Sequence, residues 1–170
     1  MLGLYNAGII DSASLPIFLP VAFFFGGLVQ LIVAVLEVLR GNVFGAAVFG
    51  TYGPFWIIFG AIEAWFAKMA PASSQATGVA VFLFMFAVVT GYFFMASLKT
   101  DTVLATIFAL IFAALVLLGL GYAMGQKTGT AVQLGGWVTL IFGVLAWYRA
   151  AAGMINANFG REILPVGHLS

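Results

Sequence analysis

The sequence predicts an all-α integral membrane protein: a helical bundle with five full transmembrane helices plus an N-terminal half-helix. Three observations predict it. Hydrophobic residues make up 64% of the 170 and charged residues only 6%, against about 25% charged in a soluble domain. Such a chain cannot cover a water-facing surface, and its mean hydropathy of +1.19 agrees. The charges also punctuate the chain, and the apolar runs between them are long enough for helices of ~20 residues that cross a bilayer.

The elements follow in order. "MLGLYNAGII" is apolar but far shorter than ~20 residues. It reads as the second half of a helix, or as a short interfacial segment. Full spans are expected at 15–39, 43–67, 77–98, 102–124 and 132–152. "LRGNV" turns the chain with Gly41 and Asn42, "KMAPASSQATG" is polar and Pro/Ser-rich, and "SLKTDT" and "GQKTGT" are compact turns. No linker composition interrupts them, so residues 1–170 read as a single transmembrane domain. The runs are continuous, unlike the ~10-residue alternating strands of a membrane barrel.

Glycine occurs 21 times. Gly121 and Gly125 form a G-x-x-x-G pair, Gly26-Gly27 and Gly135-Gly136 sit inside spans, and Gly143 lies between Trp137 and Tyr148. All read as close helix–helix packing points. If spans alternate, Arg40, Lys99, Arg149 and Arg161 share one side and Lys68 and Lys127 the other, which places the C-terminus inside.

Several function classes are excluded. No cysteine is present, so there is no disulfide, thiol nucleophile or thiolate metal site. His168, the only histidine, stands outside any apolar run, which excludes a histidine-based metal centre or dyad within one chain. A net charge of +1 offers no basic patch for nucleic acid. There is no catalytic constellation, so neither an enzyme nor a cofactor is expected. Every lysine lies at a boundary, which disfavours a retinal-type photoreceptor. No charged n-region precedes a cleavage site, so no signal peptide is expected.

What remains is a set of polar groups inside apolar runs. Tyr52 stands about ten residues into its span, ~15 Å deep. Membrane tyrosines usually collect at the interfaces. Phe49, Tyr52 and Trp56 form an i, i+3, i+7 stripe, with Glu63 three turns beyond Tyr52 on the same face. A core aromatic stripe is one reading; a ring that narrows a permeation path is the other. Gly53-Pro54 would let the backbone bend there and free a carbonyl. Gln30, Thr90, Thr139 and Tyr148 are further polar points, each open to an interhelical hydrogen bond or a ligand contact. Glu37 and Arg40, at i and i+3, read as an interfacial pair, and Arg149 as a snorkelling side chain. A proton-relay role for Glu37 or Glu63 is the sharper alternative.

In this order, "GGLVQ", "LEVLRGNVFG", "TYGPFW", "SLK", "GGW" and "NANFGREILPVG" resemble the acetate uptake transporter family, the succinate–acetate permeases of microbes. The resemblance runs from about Asn6 to Gly167, and the combination of "RGNVFG", "YGPFW" and "FGREILP" is specific. It implies a six-helix protomer in a ring-like homohexamer within the cell membrane, bathed in lipid. It implies proton-coupled uptake (symport) of acetate and, in some members, succinate. It also implies an aromatic and apolar constriction that includes Tyr52, with Ile111 aligned by spacing as a second member. Phe49, Trp56, Asn6 and Gln30 are the accompanying candidates for the path. The family's Asn-Pro-Ala-Pro-Leu-Gly-Leu opening has no counterpart: "YNAG" matches only the end of its first helix. Two other functions fit the residues, a passive pore for small neutral solutes such as acetic acid or ammonia, and a non-transporting assembly subunit.

Overall fold

A computed structural model describes residues 1–126 and 128–169. Lys127, one of the two basic residues assigned above to the opposite face, lies outside the described residues. The helices are α1 (Leu2–Asn6), α2 (Ser12–Leu39), α3 (Val43–Ala64), α4 (Ala72–Ser97), α5 (Thr102–Ala123) and α6 (Thr130–Phe159). Five of them, of 22 to 30 residues, are long and apolar enough to cross a membrane. The short α1 completes the expected five-and-a-half pattern.

Three boundaries moved for local reasons. α3 stops at Ala64, and a 3-10 turn over Phe66–Met69 replaces its expected end. α4 begins five residues early, because the Pro71 carbonyl accepts from the N–H groups of Ser74 and Gln75 and starts the helix. α6 runs seven residues past residue 152 and ends at Gly160, whose φ of 64° suits a left-handed cap.

The chain forms two compact units. The first, residue 1 with residues 10–75, holds α2 and α3. These pack as an antiparallel hairpin. A methyl group placed on Gly45 would meet the Glu37 carboxylate, one on Gly50 would meet Ala34, and one on Gly53 would meet Leu31 and the Gly27 carbonyl. Further along, Gly26 lies under Trp56, Gly27 under Ile57, and Gly60 under Phe23. Gly26-Gly27 is therefore the close-packing pair the sequence indicated.

The winding of α2 was not expected. Val21–Val29 is π-helical, set between α-helical Leu15–Pro20 and Gln30–Leu39. Pro20 has no N–H to give the carbonyl four residues back, so the ladder is already interrupted where the wider winding begins. The buried positions record the change: Phe18 and Ala22 are four apart, Ala22 and Gly27 five apart. One extra residue per turn keeps Gly27 on the face that meets α3.

The second unit, residues 2–9 with 76–170, holds α1, most of α4, then α5 and α6. Phe93 tilts against Phe108 with ring centroids 5.9 Å apart, and Gly119 lies under Phe84. Gly135 faces Leu118, and Gly136 is in backbone contact with Asn6 and Ala7, so this glycine pair also packs as expected. The other glycine expectations change. Gly121 is buried against Val132, but Gly125 lies beyond α5 in a turn with φ of 70° and nothing near it. A methyl on Gly143 would meet no atom within 4 Å, so it is not a packing point within the chain.

Hydroxyls in this unit bond to their own helices. Thr90 donates to the Phe86 carbonyl, Ser97 to Phe94 and Thr139 to Gly135, at 2.7–2.8 Å. Such back-bonding gives a hydroxyl in an apolar span an acceptor on its own helix. Tyr148 reaches further and donates to the Pro165 carbonyl at 2.7 Å.

That carbonyl belongs to a C-terminal strap over 161–169. Asn156 holds its first part, accepting from the Ile163 and Leu164 N–H groups and donating to the Leu164 carbonyl. The strap then pairs with the α4–α5 turn: Thr102 N donates to Gly167 O at 2.7 Å, Leu169 N to Thr100 O at 3.1 Å, and Asp101 and His168 form an antiparallel bridge. Asp101, only 2% exposed, caps α5 through Leu104 N and takes Arg149 Nε at 2.8 Å. Arg149 therefore does not snorkel freely. The helix runs ten residues beyond it to Phe159, and its charge is matched inside the unit.

Candidate functional site

The stretch around Tyr52 is positioned by the α2–α3 crossing. α3 continues as a helix through Pro54. Gly53 permits the approach of α2: a methyl there would lie 3.0 Å from Leu31 Cγ and 3.1 Å from both the Gly27 carbonyl and Leu31 N. Backbone atoms of a packed helix cannot yield as a flexible side chain does. Gly53→Leu should lower the melting temperature in detergent by several degrees at least, through overpacking of about 1–3 kcal/mol. Gly50→Ala, which meets only Ala34 Cβ at 3.8 Å, should leave it unchanged.

The aromatic stripe is half-buried along its length: Phe49, Tyr52, Trp56 and Glu63 share intermediate exposure. Tyr52 packs edge-on against Phe55, with centroids 6.3 Å apart. Trp56 is fixed by Phe18 at 5.9 Å, Phe55 at 5.1 Å and Phe59 at 6.4 Å, each near perpendicular, and lies over the Gly26 notch. Edge-to-face sets of this kind hold rings rigidly. Tyr52 thus stands beside a fixed aromatic cluster near mid-helix.

Gln30 sits where the π-helical winding returns to α-helix. Its Oε1 is buried and accepts no hydrogen bond. An acceptor in that condition costs about 1–3 kcal/mol. Sequence reading allowed an interhelical partner for Gln30, and the described residues supply none to this oxygen.

The two acidic candidates differ. Glu37 is tied into the α2–α3 turn, accepting from Asn42 Nδ2 and lying 3.8 Å from Arg40. Asn42 in turn caps α3 through Gly45 N at 3.0 Å. Glu63 is half-buried in the last turn of α3, eleven residues or ~16 Å from Tyr52 along the axis. Asn6 and Ile111 belong to the second unit. Asn6 is 7% exposed at the end of α1, and Ile111 is half-buried midway along α5. Among the described residues no group of His, Asp and Glu is arranged to hold a metal.

The sequence did not reveal the π-helical segment, the buried Asp101 or the role of Gly53.

Five apolar spans, with a phenol and an amide placed near mid-span, define a multi-pass helical membrane protein. The chain belongs to the GPR1/FUN34/yaaH family, whose model matches residues 1–170. It is 32% identical over 167 residues to the succinate-acetate/proton symporter SatP of Escherichia coli K12, covering 98% of this chain and 87% of that one. It is 30% identical to acetate permease A of Emericella nidulans, over 99% of this chain and 61% of that protein. Its fold matches the structure of the bacterial acetate channel SatP with a TM-score of 0.88 and 32% identity, covering 98% of this chain and 90% of that one.

Proposed function

We propose that this protein carries acetate, and related small carboxylates such as succinate, across the cell membrane together with protons. The observation that carries the reading is likeness over nearly the whole chain to a succinate-acetate/proton symporter, in sequence and in fold. The physical argument agrees with it. A carboxylate is costly in a dry apolar bundle, and Tyr52 supplies a ring that narrows the way and a hydroxyl that eases partial desolvation. Ile111 is the second narrowing residue in this reading, with Phe49, Trp56, Asn6 and Gln30 along the path. Glu37, at the α2–α3 turn, and Glu63, half-buried in the last turn of α3, are the candidates for proton coupling. The working form is a homohexamer in lipid with its C-terminus on the cytoplasmic side.

Uptake of labelled acetate by proteoliposomes tests the proposal. Saturable uptake above empty liposomes is expected, and none would refute it. Tyr52→Ala should widen the path and admit larger carboxylates, while Tyr52→Phe should keep the size limit and slow uptake through loss of the hydroxyl. Unchanged size selectivity in Tyr52→Ala would return this residue to a packing role.

A second reading, a passive pore, is favoured by one observation: the solved relative is described as a channel and the sequence relative as a symporter. An imposed pH gradient separates them. A symporter accumulates acetate against its gradient with proton entry beyond what the neutral acid carries; a pore does not.

A further inference from the structure

Arg149 is held by one edge of its guanidinium and open at the other. Its Nε donates to Asp101 Oδ2 at 2.8 Å, and the other oxygen of that carboxylate accepts from Leu104 N. Asp101 is 2% exposed, so the guanidinium is anchored to a buried, fixed group. Among the described residues, Nη1 and Nη2 have no acceptor. Both remain free to donate, on a side chain that is 35% exposed. Nη1 lies over Gly153: a methyl group placed there would stand 3.4 Å from it and meet no other side chain. Ala150 and Ala157 flank Gly153 along the same exposed face of α6, so nothing bulky closes off the open edge.

The level of this edge in the membrane follows from α5. Its 22 residues give a length of ~33 Å, close to the ~30 Å of the hydrocarbon layer. Asp101, the N-cap of α5, therefore lies at the boundary between hydrocarbon and headgroups. The guanidinium bound to it lies there as well, at the depth of the lipid phosphates. The Asp101 charge does not cancel the attraction for an anion, because the N-terminus of α5 adds about half a positive charge beside it. We infer that the Nη1–Nη2 edge of Arg149 is a seat for the phosphate of an anionic phospholipid, bound end-on through two N–H···O bonds. The planar guanidinium matches two phosphate oxygens at once. Asp101 already fixes the side chain, so little freedom is lost when the phosphate arrives. The bound lipid ties α6 to the start of α5 through one residue and stabilises the second unit in the bilayer. The seat is independent of the species transported.

Dioctanoyl-phosphatidylglycerol titrated into the full chain in neutral maltoside micelles tests the seat. It should raise the melting temperature by about 4 °C near saturation, and dioctanoyl-phosphatidylcholine should not. Equal shifts with both lipids would overturn the seat, since the zwitterionic headgroup has no net charge to recognise. Inorganic phosphate at the same concentration should give no shift. A shift as large as the lipid's would make this a site for free anions and overturn the lipid assignment. Gly153→Asp places a carboxylate against Nη1 and leaves the Asp101 pair untouched. It should weaken phosphatidylglycerol binding about tenfold, with a lipid-free melting temperature equal to or above wild type. Arg149→Lys supplies a second check. It keeps a positive charge for Asp101 but has no second edge to offer, and binding should fall to a similar extent. Undiminished binding in either variant would overturn the seat.

Discussion

Arg149→Met should lower the melting temperature of the detergent-solubilised protein by roughly 10 °C, the consequence of losing about 3 kcal/mol. Asp101 is 2% exposed, with one carboxylate oxygen on Leu104 N and the other on Arg149 Nε, both at 2.8 Å. Removing the guanidinium leaves a buried negative charge without its counter-charge, which costs far more than a surface pair is worth. The Arg149 side chain is 35% exposed, so the loss belongs toward the lower end of the range for buried pairs. The double variant Asp101→Asn/Arg149→Met should recover more than half of the lost stability. Asparagine still caps α5, and no charge is stranded. A single variant that melts like wild type, or a double variant less stable than the single, would show that the pair does not stabilise this unit.

Gly136→Val should release α1. A side chain at this position runs into backbone, Ala7 N and, at 2.5 Å, the carbonyl carbon of Asn6, and α1 cannot turn aside without leaving α6. At the same crossing a methyl group placed on Gly3 would lie 3.2 Å from the Gly136 carbonyl, so the two helices leave room for glycine alone. The chain contains no cysteine, which makes the test clean. A cysteine placed at Tyr5 should react slowly with maleimide in the parent and at least tenfold faster in the Gly136→Val background. Gly135→Ala, whose nearest contacts are the Leu118 and Leu117 side chains and not the backbone of α1, should change the rate little. Equal labelling in all three would mean that α1 does not depend on this contact.

The spans were legible because long apolar runs have one dominant solution in a bilayer, and all five appeared where expected, with ends shifted by up to seven residues. The end of α6 was not. Asn156 and Asn158 look like loop residues, yet Asn156 is helical and spends its amide on the strap. With the span ended at 152, Arg149 falls near its edge, where snorkelling is sufficient to explain it. Tyr52 and Gln30 were legible as candidates because polar groups at mid-span are rare and conspicuous. That Gln30 Oε1 is left without a partner was not, since that depends on helix register, and π-helical winding changes register without altering composition. The glycines divide by the same logic. Gly26, Gly27, Gly135 and Gly136 are packing points because a neighbour crosses there, whereas Gly125 and Gly143 have identical chemistry and no neighbour.

The strap over 161–169 has a consequence for how the protein is made. Its bonds join residues 65 apart, Thr102 to Gly167, and close over the turn that follows α4. Synthesis runs from the N-terminus, so α4 and α5 enter the membrane while the residues that secure their connecting turn have yet to be made. Until then the Asp101 backbone has no His168 to bridge, and its carboxylate has no Arg149 until α6 is threaded. The second unit is therefore sealed in a single late event, after the last helix is inserted and the strap has folded back.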